Sequence, residues 1–97
     1  MTPIQATKKI LKDRVKDLGF EIPVNQIVFK GGEDPGGWSK KGSLVCIIHE
    51  GSGLPNEYNH PDFISWWEEL SRDVSHMCRR TVFFESVNSC VTILYDA

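Results

Sequence analysis

Three histidines come first, since an imidazole can take a proton near neutral pH or bind a metal. His49 is followed by Glu50, and His60 stands eleven residues after His49 with Glu57 between them. The spacing is not the His-Glu-x-x-His of a zinc-binding helix. His49 falls at the end of a predicted strand and His60 at the start of a predicted helix. Both could therefore face one loop cluster, where a histidine would serve as general base beside Glu50. The plainer reading, which the spacing favours, makes His49 a polar strand end and His60 a cap-region residue. No metal site is expected.

Cys46, Cys78 and Cys90 are the candidate nucleophiles. Cys46 and Cys90 lie in apolar runs that read as strands, where a cysteine is usually a small hydrophobe. His76 and Cys78 would project roughly 200° apart around a helix, so no Cys–His pair forms locally. Three cysteines without close spacing point away from a disulfide framework and towards a reducing, intracellular compartment. The glycine-rich run Gly31–Gly42 lacks the Gly-x4-Gly-Lys-[Ser/Thr] pattern and precedes a strand rather than a helix, so a nucleotide cradle is not expected. No catalytic constellation is complete, and no cofactor is implied.

What remains is binding chemistry. Trp38 sits in the glycine-rich run beside Lys40 and Lys41. A loop tryptophan either folds back on the core or waits for a partner, and tryptophan is enriched at interface hot spots. The two lysines suit an acidic partner. Glu57 and Tyr58 mark a second irregular stretch, and Trp66 lies off the main stripe of its helix. Lys8, Lys12 and Lys16 repeat every four residues, which reads first as a solvated helix face and only then as a phosphate contact. A formal net charge of −2 gives no general case for nucleic acid. Charge is uneven, however: residues 1–49 hold eight Lys/Arg against five Asp/Glu, and residues 50–97 hold three against eight.

The elements that must position these residues follow from local pattern. Thr2 is a good N-cap and Pro3 a good first residue for a helix whose stripe is Ile4, Leu11, Val15 and Leu18, with Gly19 as its stop. Val24–Lys30 reads as a strand, with Pro23 at its entry, and Gly31–Gly42 as a long hairpin loop. Ser43–His49 is a second, nearly all-apolar strand. Asn59 or His60 caps the next helix, with Pro61 at its first position. Phe63, Trp67, Leu70, Val74 and Met77 form its apolar stripe, and it runs to about Arg79 or Arg80. Thr81–Val87 and Cys90–Tyr95, joined at Asn88-Ser89, read as a hairpin.

The order α-β-β-α-β-β predicts one α+β domain over residues 1–97. Its form is a two-layer sandwich: a four-stranded, mainly antiparallel sheet with two helices packed on one face. Moving the last strand to the front gives the ferredoxin-like order β-α-β-β-α-β, a resemblance of topology that carries no function. Ser43–His49 and Cys90–Tyr95 are apolar on both faces, so the face away from the helices has apolar area left over. Such a patch marks an interaction surface unless loops cover it.

These readings point to a small intracellular, cytoplasmic protein-binding module: a regulator, inhibitor or complex subunit acting by surface contact rather than catalysis. Its expected contacts are Trp38, Lys40, Lys41, Glu57, Tyr58 and Trp66. The partner is another protein or a second copy, with a homodimer formed at the open sheet face. A small acidic domain of this kind is also the type of inhibitor that phages and mobile elements encode. The first alternative is a small enzyme or ligand-binding domain using His49, Glu50 and His60. A weaker one is nucleic-acid binding through the lysine stripe with Lys40 and Lys41. No apolar run is long enough for a membrane span, and no secretory leader is expected.

Overall fold

The computed structural model describes residues 1–97. Helix α1 spans Pro3–Val15 and opens on a capping box. The Thr2 hydroxyl accepts from the Gln5 N–H at 3.2 Å, and the Gln5 side-chain Oε1 accepts from the Thr2 N–H at 3.1 Å. The helix tightens into a 3-10 turn over Lys16–Leu18, which ends at Gly19 with φ 87°, a left-handed conformation suited to glycine. Leu11 and Val15 are fully buried, as the stripe requires. So are Ala6 and Thr7, which widen it.

The predicted strand Val24–Lys30 divides in two. Val24–Ile27 is a single helical turn, α2, and only Val28–Lys30 is strand β1. The β-branched content of the segment favours a strand, but the turn places Val24 and Ile27 three residues apart against the core. Packing overrides propensity here. Strand β2 is Ser43–Ile48, and helix α3 is Phe63–Cys78. Helix α3 starts two residues later than the proline at position 61 suggests. The His60 ring accepts from the Asp62 N–H at 3.2 Å and closes a turn just ahead of the helix. Trp67, Leu70 and Val74 of the stripe are buried, with Phe63 and Met77 packed at its ends. Strands β3, Val82–Asn88, and β4, Val91–Asp96, complete the chain. Their turn is Ser89-Cys90, one residue later than expected, so Cys90 is a turn residue rather than a strand residue.

The sheet order is β1-β2-β4-β3, antiparallel throughout. Strands β2 and β3 therefore run parallel with β4 between them and α3 crossing over, and β1 and β4 are likewise parallel with β2 between. This is the split β-α-β arrangement of the permuted ferredoxin-like order. Helices and sheet enclose a main core that includes Leu11, Val15, Val28, Val45, Ile47, Leu54, Trp67, Leu70, Val74 and Leu94.

The opposite face of the sheet is not left open. Cys46 pairs with Ile93 there, and both are fully buried, with Val91 beside them. Ile48, Val87, Cys90 and Tyr95 pack around this second cluster. The β1–β2 loop lies over its other side, where the Ser39 hydroxyl and the Asp34 carboxylate come against Cys46. The expectation of a broad uncovered apolar face is therefore corrected. A loop folded back on the sheet buries much of that area.

Candidate functional site

The loop Gly31–Gly42 is organised by one side chain. Asp34 is the only buried residue in it. Its carboxylate accepts hydrogen bonds from the Trp38 N–H, the Ser39 N–H (3.2 Å) and the Ser39 hydroxyl. Asp34 also starts a turn, with Gly37 N–H donating to its carbonyl at 3.2 Å and Pro35 at the second position. Burial alone would raise the Asp34 pKa. The bonds from Ser39 and Trp38 outweigh that and hold it below the ordinary carboxylate value. The anion is thus the stable form, and it fixes the loop backbone.

Trp38 is displayed by this arrangement. Its N–H is tied down while its side chain remains 45% exposed. The indole lies so close to Gly36 that an added Cβ there would come within 2.5 Å of the ring. Glycine at this position lets the tryptophan lie flat on its own loop. Lys40 and Lys41 follow, both exposed. Beyond the loop, on the same face of the sheet, Tyr95 stacks on Phe83 at 5.6 Å, and Phe83 is 41% exposed. Burial and the nearby Glu85 carboxylate raise the Tyr95 pKa, keeping its phenol neutral. The Cys46 thiol under the loop is also raised, chiefly by burial, so it is a packed side chain and no ready nucleophile.

The other expected contact residues lie elsewhere. Trp66 is half-buried and packs on the helix-side core, edge-on to Trp67 at 5.0 Å. It thus sits on the opposite side of the sheet from the Trp38 loop. Glu57 and Tyr58 belong to the β2–α3 connection, which leaves the other end of β2. Asn56 and Asn59 brace that segment, with Tyr58 N–H donating to the Asn56 side-chain Oδ1 at 2.8 Å and the Asn59 side-chain amide donating to the Leu54 backbone carbonyl at 3.0 Å. The Tyr58 ring projects outward and is 82% exposed. The six residues therefore form two separate exposed groups, with one aromatic in the packing.

The histidines do not converge on a solvent-facing site. His49 is buried, with its ring 5.7 Å from that of Trp67 and its Nε2 2.9 Å from the Thr92 hydroxyl. Its Nδ1 has no hydrogen-bond partner. Burial lowers its pKa to about 4, so the ring is neutral near pH 7. His60 Nδ1 is engaged by the Asp62 N–H, and Glu50 is exposed. The structure has no group of three or more His, Cys, Asp or Glu placed to hold a metal ion. The three cysteines are free. Lys12 and Lys16 line an open cleft with Glu21, which sets a carboxylate among the lysines. No helix is long and apolar enough to cross a membrane.

Three positions that matter gave little or no sequence signal. Asp34 could have been found from Asp34-Pro35-Gly36-Gly37, a turn pattern with a side chain free to cap the following amides. Ser71 and Ser75 had no signal beyond being small polar residues on a helix. Ser75 Oγ accepts from the Val82 N–H and donates to the Val82 carbonyl, both at 3.0 Å, and Ser71 Oγ accepts from the Phe84 N–H at 2.9 Å. Comparison with protein-family models, curated proteins and solved structures returned no match.

Proposed function

We propose that this chain is a small protein-binding module, a regulator, inhibitor or complex subunit, whose principal contact is the Trp38 loop. The observation that carries the reading is the Asp34 anchor. It fixes the backbone of Trp38 and Ser39 while the indole stays half exposed beside Lys40 and Lys41. A large aromatic held in place before binding loses little freedom on association, which is the physics of a hot spot. The lysines favour a partner with an acidic surface, mainly through encounter rate and orientation. Glu57 and Tyr58 form a second, separate candidate contact. Neutral, enclosed His49 gives the enzyme reading no support, since its nitrogens face Thr92 and the packed interior rather than solvent.

The test is affinity purification of tagged chain from its native cell extract, at low and high salt, with wild type and Trp38→Ala in parallel. A stoichiometric protein retained at high salt by wild type, and weakened at least about tenfold by Trp38→Ala, is expected. A partner bound equally by both would remove Trp38 from the contact. Nucleic acid that elutes with rising salt would replace this reading with the electrostatic one.

A further inference from the structure

The aromatic display does not end at Trp38. The loop returns to the sheet through a tight turn, in which the Ser43 N–H donates to the Lys40 carbonyl at 3.0 Å. Ser43 pairs with Tyr95 on β4, and Tyr95 pairs with Phe83 on β3. Trp38, Tyr95 and Phe83 therefore follow one another across the same face of the sheet. Trp38 and Phe83 are exposed, and Tyr95 is half-buried. We propose that this strip is the docking site for a proline-rich segment of the partner, bound as an extended polyproline II helix, a proposal that rests on the Trp38 contact proposed above.

The free donors of the strip select its occupant. Trp38 bonds within the chain through its backbone N–H, and its indole N–H is free. The Tyr95 phenol, kept neutral by burial and by the Glu85 carboxylate, is a second free donor. Two donors on an aromatic surface match a chain that offers carbonyls and apolar rings together. A helix spends its carbonyls on its own N–H groups. A strand adds to an open sheet edge, and the β3 edge is partly closed. Ser75 takes both outward backbone groups of Val82 there, and Ser71 takes the outward N–H of Phe84. A polyproline II segment leaves every carbonyl free, is ordered before it binds, and lays its proline rings on aromatic side chains.

Length and charge define the segment further. Adjacent strands lie about 4.8 Å apart, so the strip from the loop to Phe83 spans roughly 15 Å, or about five residues of polyproline II. Lys40 and Lys41 stand at the loop end, and all of their charge is exposed. Glu85 stands at the other end, two residues after Phe83 on the same face of β3. The strip is therefore positive at one end and negative at the other. Its complement is a proline run that is acidic where it meets Trp38 and basic where it meets Phe83.

The test is an NMR titration of the isotope-labelled full chain with a synthetic peptide: six prolines, with two glutamates before them and two lysines after. The Trp38 indole N–H and the Tyr95 and Phe83 amides are expected to shift together, approaching saturation by about 1 mM. The indole signals of Trp66 and Trp67 are expected to stay in place. Replacing the prolines by alternating serine and glycine should weaken binding at least about tenfold, since that chain must be ordered first. Phe83→Ala should cost about tenfold and Tyr95→Phe about threefold, both read at the Trp38 indole. Phe83 is exposed and Tyr95→Phe keeps the ring, so folding is not at stake. No shift at 1 mM, equal binding of the serine–glycine peptide, or unchanged affinity in Phe83→Ala would overturn the proposal. An oligothymidylate that moves these signals where the peptide does not would overturn it too, and assign the strip to stacked bases. The Trp38 contact is separable. A partner from cell extract that is lost with Trp38→Ala, yet neither weakened by Phe83→Ala nor displaced by the peptide, keeps that contact and overturns only the proline segment.

Discussion

The two long connections of this chain are held by different physics. Residues 49–62 are held by burial. Leu54 is enclosed in the core, the Pro55 carbonyl accepts the Trp67 indole N–H at 2.9 Å, and the His49 ring is buried between Trp67 and Thr92. Residues 31–42 bury no large apolar side chain and are held by the Asp34 carboxylate. The difference bears on function. A connection pinned by an apolar plug commits Leu54 and His49 to the interior, while Tyr58 on its outer side stays exposed. One pinned by a polar anchor can keep its backbone fixed and still turn a tryptophan outward.

The largest expected effect tests the buried connection. Leu54→Ala leaves a cavity beside Trp67 and should cost about 2–4 kcal/mol in urea unfolding. A loss below about 1 kcal/mol would mean that the segment collapses to fill the space, and that burial does not hold it.

Acid separates the two connections next. The folded-state pKa of His49 is about 4, below the ordinary 6.5, so the unfolded chain binds the extra proton more readily. Stability from neutral His49 is complete above pH 6.5 and falls as pH drops towards 4, by about 3 kcal/mol in all. Asp34 has the same sign in a lower pH window. Its pKa is lowered, so its contribution is present above the ordinary carboxylate value and is lost only as pH falls through the folded one. Between pH 6.5 and 4 the stability should therefore decline in wild type and stay nearly level in His49→Leu. Equal slopes for the two proteins would show that His49 is not the group responsible.

The smallest effect concerns the polar anchor. Asp34→Asn removes the charge and at least one acceptor, and should cost about 1–2 kcal/mol. Its main signature is local: faster hydrogen exchange at the Trp38 and Ser39 amides, with exchange in α3 unchanged. Unaltered exchange at those two amides would show that the loop is fixed by something other than Asp34.

Much of the fold was legible from local pattern. The Thr2-Pro3 start and the Gly19 stop follow from hydrogen-bond needs at helix ends, which involve only neighbouring residues. The stripe from Phe63 to Met77 and the antiparallel hairpin near the C-terminus were readable for the same reason. Val24–Ile27 was not, because a strand-forming composition gave way to a helical turn that fits two side chains into the core. The candidate site was legible in part. Trp38, Lys40 and Lys41 stood out by type, but Asp34, which holds the backbone of Trp38 and Ser39, gave only a turn pattern.

The sequence by itself determined the two long helices with their apolar stripes, the C-terminal hairpin and the irregular, glycine-rich connection between β1 and β2. Periodicity and capping act over a few residues, so they are written locally. Only the tertiary structure decided that the β1–β2 loop covers Cys46, that His49 is sealed beside Trp67, that Trp66 packs on the core, and that Ser71 and Ser75 close part of the β3 edge. The setting of His49 and the closing of the β3 edge depend on which polar groups find partners, and the cover of Cys46 and the packing of Trp66 on which surfaces meet, and neither is written in the local pattern.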